Sequence, residues 1–324
     1  MSRARAGGPP AVTVDVRPAW PFKLPRGSGG DATASMRAGF LCRLVHVDER
    51  PVLVRAWQPQ RRQVMLRADP VPPSSVSYPP LHGGPAPEEP AGVEELELAI
   101  ERMRFAIGVD DDLTDFRESI RGDRMLEPLI RRFPTVRPRR RPWPWEALAW
   151  AVTQQLIETS RAAAIQRRIV RRWGPKVGAG RAALRDVPCA RVIAGRAPAE
   201  LQATDLAAGR SVALRKVGAL VAAGCDLADP RSDTRLEQVP GIGPWTVQCL
   251  ALFGRGEPDS LPAGDLAYVK LVGRLMGEGR RATVEEVERF YAPYAPFRGL
   301  AGVLSLRGLH GLVAKGPPLR LAAA

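Results

Sequence analysis

The sequence predicts an α+β protein, a small N-terminal antiparallel sheet domain followed by an all-helical body. Three observations carry this. Residues 12–69 hold short alternating or β-rich runs. A stretch dense in Pro, Gly and Ser then interrupts the chain. Beyond Gly92, apolar residues recur at helical spacing.

The elements follow in order. Residues 1–10 have the composition of a disordered N-terminus. "VTVDV", "GFLCRLVHV", "PVLVRAW" and "RQVMLRAD" are the expected strands of a domain over 11–90, which ends in the linker "DPVPPSSVSYPPLHGGPAPEEPAG". The helical body is expected over 91–320, as two subdomains. "VEELELAIERMRFAIG" spaces its apolar residues as a helix does and ends on glycine. "LTDFRESI" and "RMLEPLIRRF" read as short helices, and "RPRRRPWP" as a basic connector broken by proline. "WEALAWAVTQQLI" and "RAAAIQRRIVRRWG" are stronger helices. Further helices are expected around 181–194, 198–207, 211–224, 234–239, 244–253, 265–276, 283–292 and 297–307.

The 324 residues carry a formal net charge of +14. Such an excess favours a polyanionic partner, first of all nucleic acid. Cys42, Cys189, Cys225 and Cys249 lie far apart without CxxC spacing, which argues against a zinc site, an iron–sulfur cluster or a disulfide framework. His46, His82 and His310 form no sequence cluster with carboxylates. No apolar leader opens the chain and no stretch is long enough to span a bilayer. A cytoplasmic, nucleoid-associated protein without a membrane partner is expected. No Walker motif is present, and no GxGxxG follows a strand.

One segment holds more chemistry than the rest. In "EQVPGIGPWT", two helices flank a tight turn with Gly241 and Gly243. Glycine permits backbone angles closed to other residues and lets another molecule approach the backbone. Pro244 suits a first helical turn. The free amides there, with the positive dipole end, suit a phosphate. About twenty residues on, "LPAGD" sets Asp265 at the start of a helix. Asp is a favoured N-cap. It is also an acid aimed at the expected polyanion.

Taken together, hairpin and Asp265 resemble the helix-hairpin-helix DNA glycosylases, and among them the branch of 3-methyladenine DNA glycosylase II, the AlkA type. The resemblance runs from about Val12 to Leu312 and is strongest over 144–160 and 234–307. It implies a helix-hairpin-helix glycosylase body with its hairpin at 234–253. It implies a monofunctional enzyme of base excision repair that flips alkylated bases of the 3-methyladenine type and hydrolyses their N-glycosidic bond, leaving an abasic site. It makes Asp265 the catalytic aspartate. Gly241, Ile242, Gly243 and Thr246 would bind the DNA backbone, with Arg215 and Lys216 on a neighbouring helix. Trp245, Gln155, Cys249 and Leu306 fall at base-pocket positions, Leu156 at the wedge that fills the vacated stack, and Arg298 at the arginine of a C-terminal motif. Backbone carbonyls of Glu237, Val239 and Ile242 would hold a Na+ or K+ ion; no other cofactor is implied, and no iron–sulfur cluster. The partner would be duplex DNA containing damaged bases, met by a monomer.

The chain also departs from the pattern. Cys249 replaces a pocket tyrosine, Leu306 a pocket tryptophan, and Gln154 a small residue, so a less aromatic pocket is expected. Trp245 stands where strand-cutting members carry a lysine nucleophile, and Lys270 lies elsewhere. Two other functions stay open: a glycosylase for a deaminated or oxidised base, and a non-catalytic DNA-binding protein. Some features have plainer readings. Leu156 also suits the core of its helix. The runs "RPRRRP" and "RRIVRR" suit a phosphate grip or a solvated face equally. Trp143, Trp145 and Trp150 have the spacing of core residues.

Overall fold

Five strands fill residues 12–70, one more than alternation predicts: β1 Val12–Val16, β2 Ala34–Arg37, β3 Phe40–Val47, β4 Arg50–Gln60 and β5 Gln63–Pro70. They come from a computed structural model that describes residues 10–25, 30–79, 87–277 and 279–314. The expected disordered start, save Pro10, lies outside the described residues. The sheet is antiparallel in the order β1-β5-β4-β3-β2. β2, "ASMR", is a short edge strand with little apolar pattern, which is why it has no sequence signature. β3 is buried on both faces, as its nearly continuous apolar run requires.

One sheet face packs Val52, Val54, Ala56, Val64, Leu66 and Ala68 against Leu96, Ala99, Ile100 and Met103 of α1 (Val93–Ile107). The sequence placed this helix with the helical body, yet its apolar stripe completes the sheet's core. The other face meets a second, unpredicted sheet. Its strands are β6 Val76–Ser77, β7 Lys176–Val177 and β8 Leu184–Arg185, in that order. Val76 and Leu184 cover Cys42 and Leu44 there. Two-residue strands this far apart in sequence leave no periodic signal. β8 also overturns the helix expected at 181–194. Pro188 lacks an amide and disfavours a helical residue before it, so the span holds only a 3-10 turn at Gly180–Ala182 and the short α6, Ala190–Ala194.

The remaining helices are α2 Thr114–Ser119, α3 Leu126–Arg132, α4 Pro144–Gln154, α5 Thr159–Trp173, α7 Pro198–Gln202, α8 Ala208–Ala222, α9 Ser232–Glu237, α10 Pro244–Leu250, α11 Leu266–Leu275, α12 Val284–Tyr291 and α13 Arg298–Ala314. They build two apolar clusters. One joins α4 to α10 around Leu148, Ile165, Val217 and Leu250. The other joins α2, α3 and α11 to α13 around Leu126, Tyr268, Val287 and Tyr291. Sheet and body meet at a buried charge cluster. Arg43 of β3 pairs with Glu146 of α4, and Arg141 bridges Glu146 (3.1 Å) and Asp31 (2.7 Å). Two acids and two bases balance in charge, as burial of charge demands. Trp150 adds its indole N–H to Asp31, at 3.2 Å. The first cluster takes in Val239, Ile242, Val247 and Leu250 of the hairpin and the second takes in Leu261 and Ala263 of the LPAGD turn, so hairpin and Asp265 sit where the two halves of the body meet.

Candidate active site

The α9–α10 hairpin forms as its glycines suggest. Gly241 has φ 90°, a left-handed backbone that a β-carbon would strain. The amides of Thr246 and Val247 fold back onto the Gly243 carbonyl (2.9 and 3.3 Å). Among the described residues, that leaves the amides of Gly241, Gly243 and Trp245 without a backbone acceptor. They are the donors a phosphate would need. Ile242 and Thr246 are buried, so neither side chain faces outward. For Thr246 this corrects the expected direct contact with DNA. The second helix of the hairpin, expected over 244–253, is α-helical only to Leu250 and continues as a π turn, Ala251–Arg255. Arg215 and Lys216 are both exposed on α8.

Asp265 caps α11. Its Oδ1 accepts the Ala267 amide at 2.8 Å, and among the described residues Oδ2 has no hydrogen-bond partner. The carboxylate is half-buried, which leaves one oxygen open to chemistry. It faces two protonated neighbours. Burial first, and the Asp265 charge second, lift the Cys249 thiol well above its ordinary range. The Tyr268 phenol is raised in the same way, by burial, then Tyr291, Asp265 and Cys249. Neither serves as a base. Trp245 lies against the LPAGD turn, its Cβ and Cδ1 3.8 Å from where a β-carbon on Gly264 would stand. Its indole Nε1 is buried without an acceptor. Tyr268, one helical turn after Asp265, escaped sequence reasoning; the i, i+3 spacing was its signal. It is a buried core side chain, edge-on to Tyr291 with ring centroids 5.7 Å apart.

The other predicted residues divide. Gln155 turns its amide onto the hairpin. Its Nε2 donates to Gly241 O (2.7 Å) and Thr246 Oγ1 (2.9 Å), so it ties α4 to the hairpin. Leu306 is half-buried in the apolar cluster of α13. Arg298 is held by Asp259 through its amide (3.0 Å) and guanidinium (2.9 and 2.5 Å), which fixes the start of α13. Leu156 differs most from expectation. The helix expected to contain it stops at Gln154, and Leu156 stands in a left-handed turn at φ 56°. It is 105% exposed, so it belongs to no core.

The fold is shared with solved structures of DNA glycosylases. A solved structure of 3-methyladenine DNA glycosylase from Archaeoglobus fulgidus superposes with a TM-score of 0.70 at 17% identity, covering 90% of this chain and 97% of that one. In sequence, the AlkA-like resemblance is borne out by two relatives. A probable bifunctional transcriptional activator/DNA repair enzyme AlkA of Mycobacterium tuberculosis is 29% identical over 189 residues, 56% of this chain. A DNA-3-methyladenine glycosylase of Bacillus subtilis is 24% identical over 194 residues, 57% of this chain. The matches span 37% and 64% of the length of those relatives. No protein-family model matches the chain.

Proposed function

We propose that this protein is a monofunctional DNA glycosylase of base excision repair, acting on alkylated bases of the 3-methyladenine type in duplex DNA. The observation that carries the reading is Leu156. A leucine wholly exposed in a left-handed turn gains nothing for folding. It suits insertion into a base stack, where a wedge offsets part of the cost of flipping a nucleotide. The similarity to proteins named for 3-methyladenine release supports the substrate class.

In this reading the free amides of Gly241, Gly243 and Trp245 hold a backbone phosphate, with Arg215 and Lys216 flanking. Positive charge develops on the sugar as the C1′–N bond breaks. The open oxygen of Asp265 stabilises that charge and orients a water. The water oxygen bonds to C1′, the base leaves with the bond's electron pair, and a proton is released. An alkylated base already carrying positive charge needs no strong general acid. With Trp245 in place of a lysine, no covalent link to the sugar forms and the strand stays uncut. Glu237, Val239 and Ile242 offer uncharged carbonyl oxygens at a helix end and turn, a donor set that fits Na+ or K+. An ion there would add positive charge behind the hairpin. The protein would act as a monomer near the nucleoid. Cys249 and Leu306 favour one second reading, a base that depends less on stacking.

The test is release of free bases from methylated duplex DNA, followed by chromatography. Wild type should free 3-methyladenine, with strands intact until alkali. Asp265→Asn should free none while keeping DNA affinity. No release from methylated DNA, with release from deaminated or oxidised DNA, would replace the substrate class.

A further inference from the structure

This inference rests on the proposed role of Leu156 as a wedge. Since Leu156 packs against nothing, its left-handed backbone must be imposed by its neighbours. α4 ends at Gln154, and a helix end leaves its last carbonyls without helical partners. One side chain takes two carbonyls at this end. Arg210 Nη1 donates to Thr153 O (3.2 Å) and Gln155 O (3.1 Å). Arg210 lies in the first turn of α8, where the helix dipole disfavours a cation. Burial and then Arg161 also press against its charge. It keeps a costly position in order to make these contacts. The Gln155 amide meanwhile grips Gly241 O and Thr246 Oγ1 of the hairpin. The circuit closes through α8, whose Ala213 Cβ lies 3.4 Å from the place of a β-carbon on Gly241.

We propose that Arg210 and Gln155 are positioning residues that lock the Leu156 turn to the hairpin, so that a phosphate seated on the hairpin sets the depth and direction of the wedge. Neither residue needs to touch the reacting atoms.

The experiment is a double-mutant cycle on the full chain with Arg210→Met and Leu156→Ala, singly and together. Two readouts are taken: 2-aminopurine fluorescence of a duplex carrying the probe at the target position, and single-turnover release of 3-methyladenine from methylated duplex. Each single variant should lose about ten- to a hundredfold in release, the scale of a misplaced group. The double variant should be no worse than Leu156→Ala alone, because Arg210 acts through Leu156. Losses that multiply would overturn the proposal. Gln155→Glu, nearly isosteric but without the amide donor, should show the same dependence on Leu156 and carries the test if Arg210→Met does not fold. A purely structural role would lower the melting temperature alike in both backgrounds and leave the cycle multiplicative. A wild type that neither brightens the probe nor releases any base would overturn the wedge reading and this proposal with it. An active wild type with a multiplicative cycle overturns this proposal alone.

Discussion

Two short turns flank the hairpin in space, and they treat their key side chains in opposite ways. The LPAGD turn holds Asp265 half-buried and uses one of its oxygens to cap α11. The turn after α4 holds Leu156 in a strained backbone and pushes it wholly into solvent. Folding alone would accept Asp265, since a cap stabilises by about 0.5–2 kcal/mol. Folding alone does not account for Leu156. The side chain with no stabilising role is therefore the sharper pointer to function, even though the acid is the one to which the proposed chemistry falls.

The comparison can be broken most forcefully at Asp265. Asparagine also caps helices well, so Asp265→Asn should melt near wild type yet lose about a hundredfold or more of base release, as expected for loss of a main electrostatic stabiliser. A matched loss of melting temperature would mean that the acid is only a cap. Leu156→Gly comes next. Base release should fall by about tenfold or more. Stability should hold or rise by up to about 1 kcal/mol as the left-handed strain is relieved, with added chain entropy offsetting part of the gain. Thermal melting beside release kinetics separates the two effects. Between the turns, Gly241→Ala should cost about 1–2 kcal/mol. Its backbone is left-handed and the new methyl would meet Ala213 at 3.4 Å. Urea unfolding reads this directly.

The smallest effect is one of pH and concerns the LPAGD turn alone. Val284, which opens α12, lies beside Gly264. Glu286 caps α12 through the Thr283 amide (2.7 Å) and pairs with Arg280. These contacts, Arg280 first, hold its carboxyl down at about 2 from an ordinary 4.5. A depressed acid contributes stability that is full above its ordinary value and is lost as pH falls toward the folded one. The gap in urea midpoint between wild type and Glu286→Gln should therefore close as pH falls from 4.5 to about 2. A gap that stays constant would mean that the cap is not formed.

Much of this was legible in the residues. Alternation and short β-rich runs marked four of the five strands of the large sheet. "VPGIGPW" marked the hairpin, because a left-handed glycine and a helix-opening proline are local requirements. "LPAGD" marked the cap for the same reason. Local signals misled at 181–194, where Pro188 and pairing with β7 prevailed over helical spacing. The second sheet went unseen because its strands are two residues long and β6 lies about a hundred residues from β7.

Period and turn chemistry act over a few residues, so they are written in the chain and sufficed for an α+β architecture with a helical body, a hairpin and a capped acid. They do not say which way a side chain turns once distant segments meet. That Gln155 grips the hairpin, that Arg210 closes the end of α4, that Thr246 is buried and Leu156 bare, all depend on contacts between residues some fifty to ninety apart. Each is settled by which carbonyls and amides are left unpaired after packing, a quantity that exists only in the folded molecule.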